Sequence, residues 1–395
     1  MTGCGQDGHH PEIMIVTGEA SGDLHGAHLV RAMLARDPRL RFCGMGGLEL
    51  QSAGVELLAD AAKLAVVGAV EVLSHLGDIL RARHALIERM REHRPALLIL
   101  IDYPDFNLLL AKKAKQLGIP IFYYISPQIW AWRSGRIHTI KRLIDKMAVI
   151  LPFEPAFYVR HGMQVDFVGH PLFDTIKPGM SIAAFRDKHG IEPGRTVIGL
   201  LPGSRRKEVA ALLPIFLAAA GLIATAMPHA AFLLPQAPTI SRALLDQHGL
   251  TAWQERLDIK VITEDRYAMM AACDAAMAAS GTAVLELGIL RVPVVAAYRT
   301  SRLTYWLGRV LIRGLRFFSL INLIAERDVI PELLQNEANP DQLAKEVLNM
   351  LQNDNRRQAV LADLEEVNRR LGGPGASDRA AAVALSLLTT RGGHG

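Results

Sequence analysis

EIMIVTGEASGDLHGA, residues 12–27, joins an apolar run, Ile13-Met14-Ile15-Val16, through a glycine turn to an amphipathic stretch from Leu24 onward. Strand, glycine turn and helix together open a βαβ unit and share the backbone plan of a phosphate loop. The chemistry of the turn is different. Where GxxxxGK[ST] would carry its lysine, Gly22 is followed by Asp23, and Glu19 adds a second acid. Two carboxylates therefore stand where a phosphate normally sits.

Outward from this stretch the same alternation repeats. Strand-like runs follow at 40–44, 96–101, 120–125, 146–150 and 164–168, with helical patterns between most of them. The pattern breaks at Gly169-His170-Pro171, and the stretch to about Ser181 reads as a linker. It restarts at 196–201, 231–235, 259–263, 275–279 and 293–298, and beyond about 330 the chain reads as purely helical. The expected fold is α/β, with two Rossmann-like domains facing across a cleft and ligands at strand-to-helix turns. Expected boundaries are 1–172 for the first domain and 173–360 for the second. A helical segment, 361–395, then either packs back on the first domain or exchanges with a second subunit of a homodimer.

The bulk numbers agree with two domains. A chain of 395 residues exceeds what one core usually supports, and 50% hydrophobic with 21% charged residues argues for a globular protein. Three scattered cysteines, Cys4, Cys43 and Cys273, suggest neither a disulfide framework nor a zinc site, and fit a reducing compartment. Residues 209–235 carry no Asp, Glu, Lys or Arg, yet Pro214, Pro228 and His229 interrupt them. We read a buried helix followed by a core strand there rather than a membrane span. The net charge of +5 suggests an anionic partner: phosphorylated substrate, nucleic acid or acidic lipid.

Several turns carry candidate chemistry. In LPGSRRKEV (201–209), Gly203 permits close backbone approach, Ser204 caps a helix or binds phosphate, and Arg205 offers a fork to phosphate oxygens. In ASGTAVLE (279–286), Ser280, Gly281 and Thr282 present N–H groups at a helix start, and Glu286 suits ribose hydroxyls. Each turn alone reads equally as a plain cap; two in one domain favour a nucleotide site. LLILIDYPDFN (97–107) exposes Asp102 at a strand end, as a general base or a turn-forming aspartate, and Asp105 or Asn107 as a helix cap. YYISPQIWAWR (123–133) suits a sugar face or a core equally. No DxD, HExxH or complete GxGxxG is present; GMGG (44–47) is the nearest approach to a dinucleotide fingerprint. No metal and no cofactor are expected. LAVVGAVEVL (64–73), with Val66, Val67, Val70 and Leu73, and the basic amphipathic stretch 302–318 are candidates for contact with membrane or acyl chains.

Taken in order, GEASGD (18–23), IDYPDFN (101–107), YYISPQIWAWR, LPFE (151–154), VGHPL (168–172), LPGSR (201–205), SGTAVLE (280–286) and SLINLIAERDVIPELLQ (319–335) resemble the lipid-A-disaccharide synthases. The resemblance implies a metal-independent, inverting GT-B glycosyltransferase. Its donor would be UDP-2,3-diacylglucosamine and its acceptor 2,3-diacylglucosamine 1-phosphate, with no nucleic-acid partner. It implies a cytoplasmic enzyme held peripherally on the anionic inner-membrane surface. Asp102 would be the general base and Glu19 would orient the acceptor sugar. Arg205, the helix start at Ser280-Gly281-Thr282 and Asn322 would hold the diphosphate, and Glu286 the ribose. Ile321 stands where the family usually has proline. A UDP-sugar 2-epimerase of the same two-domain plan is the alternative.

Overall fold

Continuous apolar strands need cover on both faces, and the computed structural model provides it with two parallel sheets. It describes residues 10–61, 76–132, 134–300 and 316–389. The first sheet contains β1 (Glu12–Val16), β2 (Arg41–Gly46), β3 (Val55–Asp60), β4 (Leu97–Ile101), β5 (Ile121–Tyr124), β6 (Lys146–Val149) and β7 (Asp166–Phe167). Their order is β3-β2-β1-β4-β5-β6-β7. The second contains β8 (Val197–Leu201), β9 (Ala231–Pro235), β10 (Ile259–Ile262), β11 (Ala275–Ala279), β12 (Val294–Tyr298) and β13 (Glu332–Leu334), in the order β10-β9-β8-β11-β12-β13. Strand order reverses between β1 and β4 in one sheet and between β8 and β11 in the other. At such a reversal the loops leave toward opposite faces, so a crevice opens beyond the strand ends.

The register explains the opening stretch. Met14 and Val16 join Leu98 and Leu100 in the core on one face of the first sheet, while Ile13 and Ile15 join Leu97, Ile99 and Ile101 on the other. Every residue of β4 is buried, as a central parallel strand requires. Val16 lies opposite Leu100, which brings the loops after β1 and β4 side by side.

Two strands escape the sequence reading. β3, VELLAD, is an edge strand whose Glu and Leu content is helix-compatible, and it forms through pairing with β2. The expectation of helix only beyond 330 is corrected by β13, which pairs with Ala296–Tyr298. Residues 209–235 fold as the helix Arg206–Ala226 and β9. That helix is long and apolar enough to cross a membrane. Here its Leu212, Leu213, Phe216, Leu217, Ala220 and Ile223 are buried in the core of the second sheet.

The chain divides into two compact units, residues 1–174 with 372–395, and residues 175–371. The 360/361 boundary expected from sequence falls inside one continuous helix, Asp354–Arg370, which stays with the second unit. Only the last helix, Ala376–Thr389, belongs to the first. Its small residues Ala380, Ala381 and Ala384 are fully buried in the same core as Leu29, Val30 and Met33 of the helix Ala20–Arg36. Asp174 caps its start by accepting from the Gly375 and Ser377 N–H groups at 2.6 and 2.9 Å.

Candidate active site

In the first unit Glu19 and Asp102 follow β1 and β4, the pair of strands at the reversal. Glu19 is exposed at the start of the helix Ala20–Arg36, where its side chain makes no capping hydrogen bond. Asp102 is half-buried and, with Tyr103, has a left-handed backbone, φ 46° and 45°. For non-glycine residues this costs about 1–3 kcal/mol each and persists only where surroundings enforce it. The enforcement is visible. Asn107 Nδ2 donates to the Asp102 carbonyl at 2.7 Å and to the Ile101 carbonyl at 3.2 Å, and the Tyr123 hydroxyl donates to the Asp102 carbonyl at 2.5 Å. Above them the Tyr103 ring lies on Gly18, where any Cβ would stand 2.2 Å from the ring. Burial, and then the negative charge of Glu19, raise the Asp102 carboxyl above the ordinary carboxylate range.

Asp23 has a different duty from Glu19 and Asp102. It is buried, and its carboxylate accepts from the Gly47, Glu49 and Leu50 N–H groups at 2.7, 3.0 and 3.2 Å, at the start of the helix Leu48–Ser52. The GMGG glycines make room for it: a Cβ on Gly47 would stand 2.7 Å from Asp23 Oδ2. The nearest thing to a dinucleotide fingerprint is therefore filled by the protein's own carboxylate.

In the second unit Gly203-Ser204-Arg205 and Ser280-Gly281-Thr282 follow β8 and β11, again the two strands at the reversal. Gly203 has φ 107°, and a Cβ there would meet Glu208 Oε2 at 2.4 Å, so only glycine fits. Ser204 is not the helix cap. The helix begins at Arg206 with Arg205 at the cap position, and Glu208 reaches back to the Arg205 N–H at 3.4 Å and its guanidinium at 3.2 Å. The Arg205 side chain remains 72% exposed, free to turn toward an anion. The Ser280 N–H is committed to the Ala297 carbonyl at 2.8 Å, which removes it from the expected set of free donors. Gly281 and Thr282, exposed at the start of the helix Thr282–Ile289, keep theirs outside the sheet.

Glu286 is only 3% exposed. Its Oε1 accepts from Arg266 at 2.7 Å and from the Tyr267 hydroxyl at 3.4 Å, while burial raises its carboxyl against the opposing pull of Arg266. Arg266 was not singled out from sequence, because its partner lies twenty residues on across two turns. Asn322 departs furthest from expectation. Its Nδ2 donates to the Ile330 carbonyl and to Glu332 Oε1, both at 2.9 Å, and its Oδ1 accepts from the Val329 and Ile330 N–H groups at 2.9 and 3.0 Å. A side-chain amide has two donors and two acceptor positions, and all are spent. The amide expected to meet the diphosphate is engaged here by the protein itself. Ile321 is buried, with its Cδ1 against Gly288.

Of the aromatic stretch, Tyr123 and Tyr124 are fully buried, and Trp130 packs edge-on to Phe153 at 4.8 Å. That part is core. Val66, Val67, Val70 and Leu73, and residues 302–315, lie outside the described residues.

A sequence model described as lipid-A-disaccharide synthetase matches residues 13–386. The chain belongs to that family. The lipid-A-disaccharide synthase of Syntrophus aciditrophicus is 47% identical over 376 residues, covering 95% of this chain and 97% of the relative. Among solved structures, the UDP-GlcNAc 2-epimerase of Neisseria meningitidis bound to UDP-GlcNAc has a TM-score of 0.65 at 10% identity, covering 95% of this chain and all of that one. The calicheamicin glycosyltransferase CalG4 has a TM-score of 0.61 at 15% identity, covering 96% and 99%. At these identities the structural likenesses speak for the fold, a GT-B architecture of two parallel-sheet α/β domains. The epimerase alternative rests on fold alone, whereas membership of the synthase family rests on nearly the whole sequence.

Proposed function

We propose that the protein is an inverting glycosyltransferase that joins UDP-2,3-diacylglucosamine to the 6-hydroxyl of 2,3-diacylglucosamine 1-phosphate. The products are UDP and the β-1,6-linked disaccharide 1-phosphate of lipid A. Family membership over residues 13–386 carries this reading, and the placement of the chemistry at the two strand-order reversals supports it. Ionised Asp102 takes the proton of the acceptor hydroxyl as its oxygen bonds to the donor's anomeric carbon, and the bond from that carbon to the diphosphate oxygen breaks. Glu19 orients the acceptor sugar. Arg205, Ser204 and the Gly281 and Thr282 N–H groups receive the charge of departing UDP. The free oxygen of Glu286 takes the ribose. Both substrates carry acyl chains, so Val66, Val67, Val70 and Leu73 are assigned to the cytoplasmic surface of the inner membrane.

Purified protein given both diacylated substrates is expected to release UDP and form disaccharide phosphate in equal amounts. UDP release without acceptor, or isomerisation of the donor sugar alone, overturns the reading. Arg205→Ala is expected to weaken UDP binding about 10- to 100-fold, the loss of one charged hydrogen-bond donor, as read by calorimetry. Unchanged UDP affinity would remove Arg205 from the nucleotide site.

A further inference from the structure

We infer that Tyr123 and Asn107 are positioning residues for the proposed reaction: together they grip the Asp102 carbonyl and hold the left-handed turn that fixes where its carboxylate stands. The inference rests on Asp102 being the base. Tyr123 lies on β5, next to β4, with its α-carbon opposite Leu100. The side chain is fully buried, and phenylalanine would fill the same space. The hydroxyl is what packing does not explain. Its hydrogen bond runs to the Asp102 carbonyl at 2.5 Å.

Asn107 adds the second bond to the same oxygen, at 2.7 Å, so both lone pairs of that carbonyl are engaged. An asparagine in the first turn of a helix ordinarily acts as a cap for N–H groups. Here Asn107, fully buried in the helix Pro104–Gln116, instead turns its amide back onto the two carbonyls that end β4, those of Ile101 and Asp102. Two successive left-handed non-glycine residues would relax without such a clamp. Relaxation would swing the carboxylate from its half-buried place toward water, away from the acceptor hydroxyl.

Tyr123→Phe tests this, because the ring that fills the core is retained. The expected result is a kcat reduced about tenfold or more, since displacements near 1 Å carry such penalties. The KM values should be unchanged. The acid limb of the kcat–pH profile should move to lower pH, as the carboxylate regains water. Asn107→Ser is expected to act in the same direction. Wild-type kcat per folded molecule with an unmoved acid limb, beside an inactive Asp102→Asn, overturns the positioning role and leaves the base standing. Turnover retained by Asp102→Asn overturns the base, and this inference with it.

Discussion

Replacing Asp102 with asparagine is expected to lower turnover roughly 10²- to 10⁴-fold, the usual contribution of a general base, without lowering the unfolding temperature. The substitution keeps the size of the side chain, and it leaves in place the Asp102 carbonyl to which Asn107 and Tyr123 donate in holding the left-handed turn. The stability side has a definite sign. Burial, reinforced by Glu19, raises the folded-state pKa of Asp102 above its unfolded value. The folded state therefore binds the proton more tightly, and ionised Asp102 costs stability once pH rises above the unfolded value. Asparagine removes that cost at neutral pH, so the folded variant should be as stable as the parent or slightly more so.

The same shift orders the pH dependence. The base acts ionised, so kcat should rise with pH through a limb lying above the ordinary carboxylate range. Glu19→Gln removes the second contribution to the shift and should move that limb downward, though not to the ordinary value, because burial is the larger cause. The measurement is a kcat–pH series for parent and both variants at saturating substrates. An Asp102→Asn enzyme within a few-fold of the parent, or a limb indifferent to Glu19, would sink the assignment.

Why the position of Asp102 is legible in the sequence, and the partners of Asn322 are not, is a matter of range. Strand, turn and helix are written in contiguous residues, and the apolar runs at 12–16, 96–101 and 275–279 appear as β1, β4 and β11 nearly to the residue. Asp102 stands at the end of such a run, so its site is local. β3 and β13 have no comparable signal, because pairing with β2 and β12 holds helix-compatible side chains in strand form. Asp23 shows the same limit. Its three partners lie beyond residue 46, and nothing in GEASGD says that its carboxylate will fill the slot made by GMGG. The turn that carries Glu286 is written in contiguous residues, but its burial and its Arg266 partner come from different segments.

Asn322→Ala is expected to destabilise the protein by about 3–5 kcal/mol, with UDP affinity of the folded molecules unchanged. Alanine would strand the Ile330 N–H and carbonyl and one position on Glu332, each at about 1–3 kcal/mol when buried, and leave the Val329 N–H with only the Arg327 carbonyl at 3.1 Å. Partial relaxation and water entry bring the total below the simple sum. The turn does not depend on a proline at position 321. Ser319 caps the helix Leu320–Ala325 by accepting from the Asn322 N–H at 3.2 Å. Glu332 accepts from the Phe318 and Ser319 N–H groups at 2.8 and 2.9 Å, and from the Ser319 hydroxyl at 2.7 Å. Glu332 begins β13, so this knot fixes the edge of the second sheet. Urea unfolding measures the stability, and calorimetric titration of the folded variant with UDP measures the affinity. An Asn322→Ala protein with parental stability and UDP binding weakened tenfold or more would return Asn322 to the diphosphate and show that its amide turns on nucleotide binding.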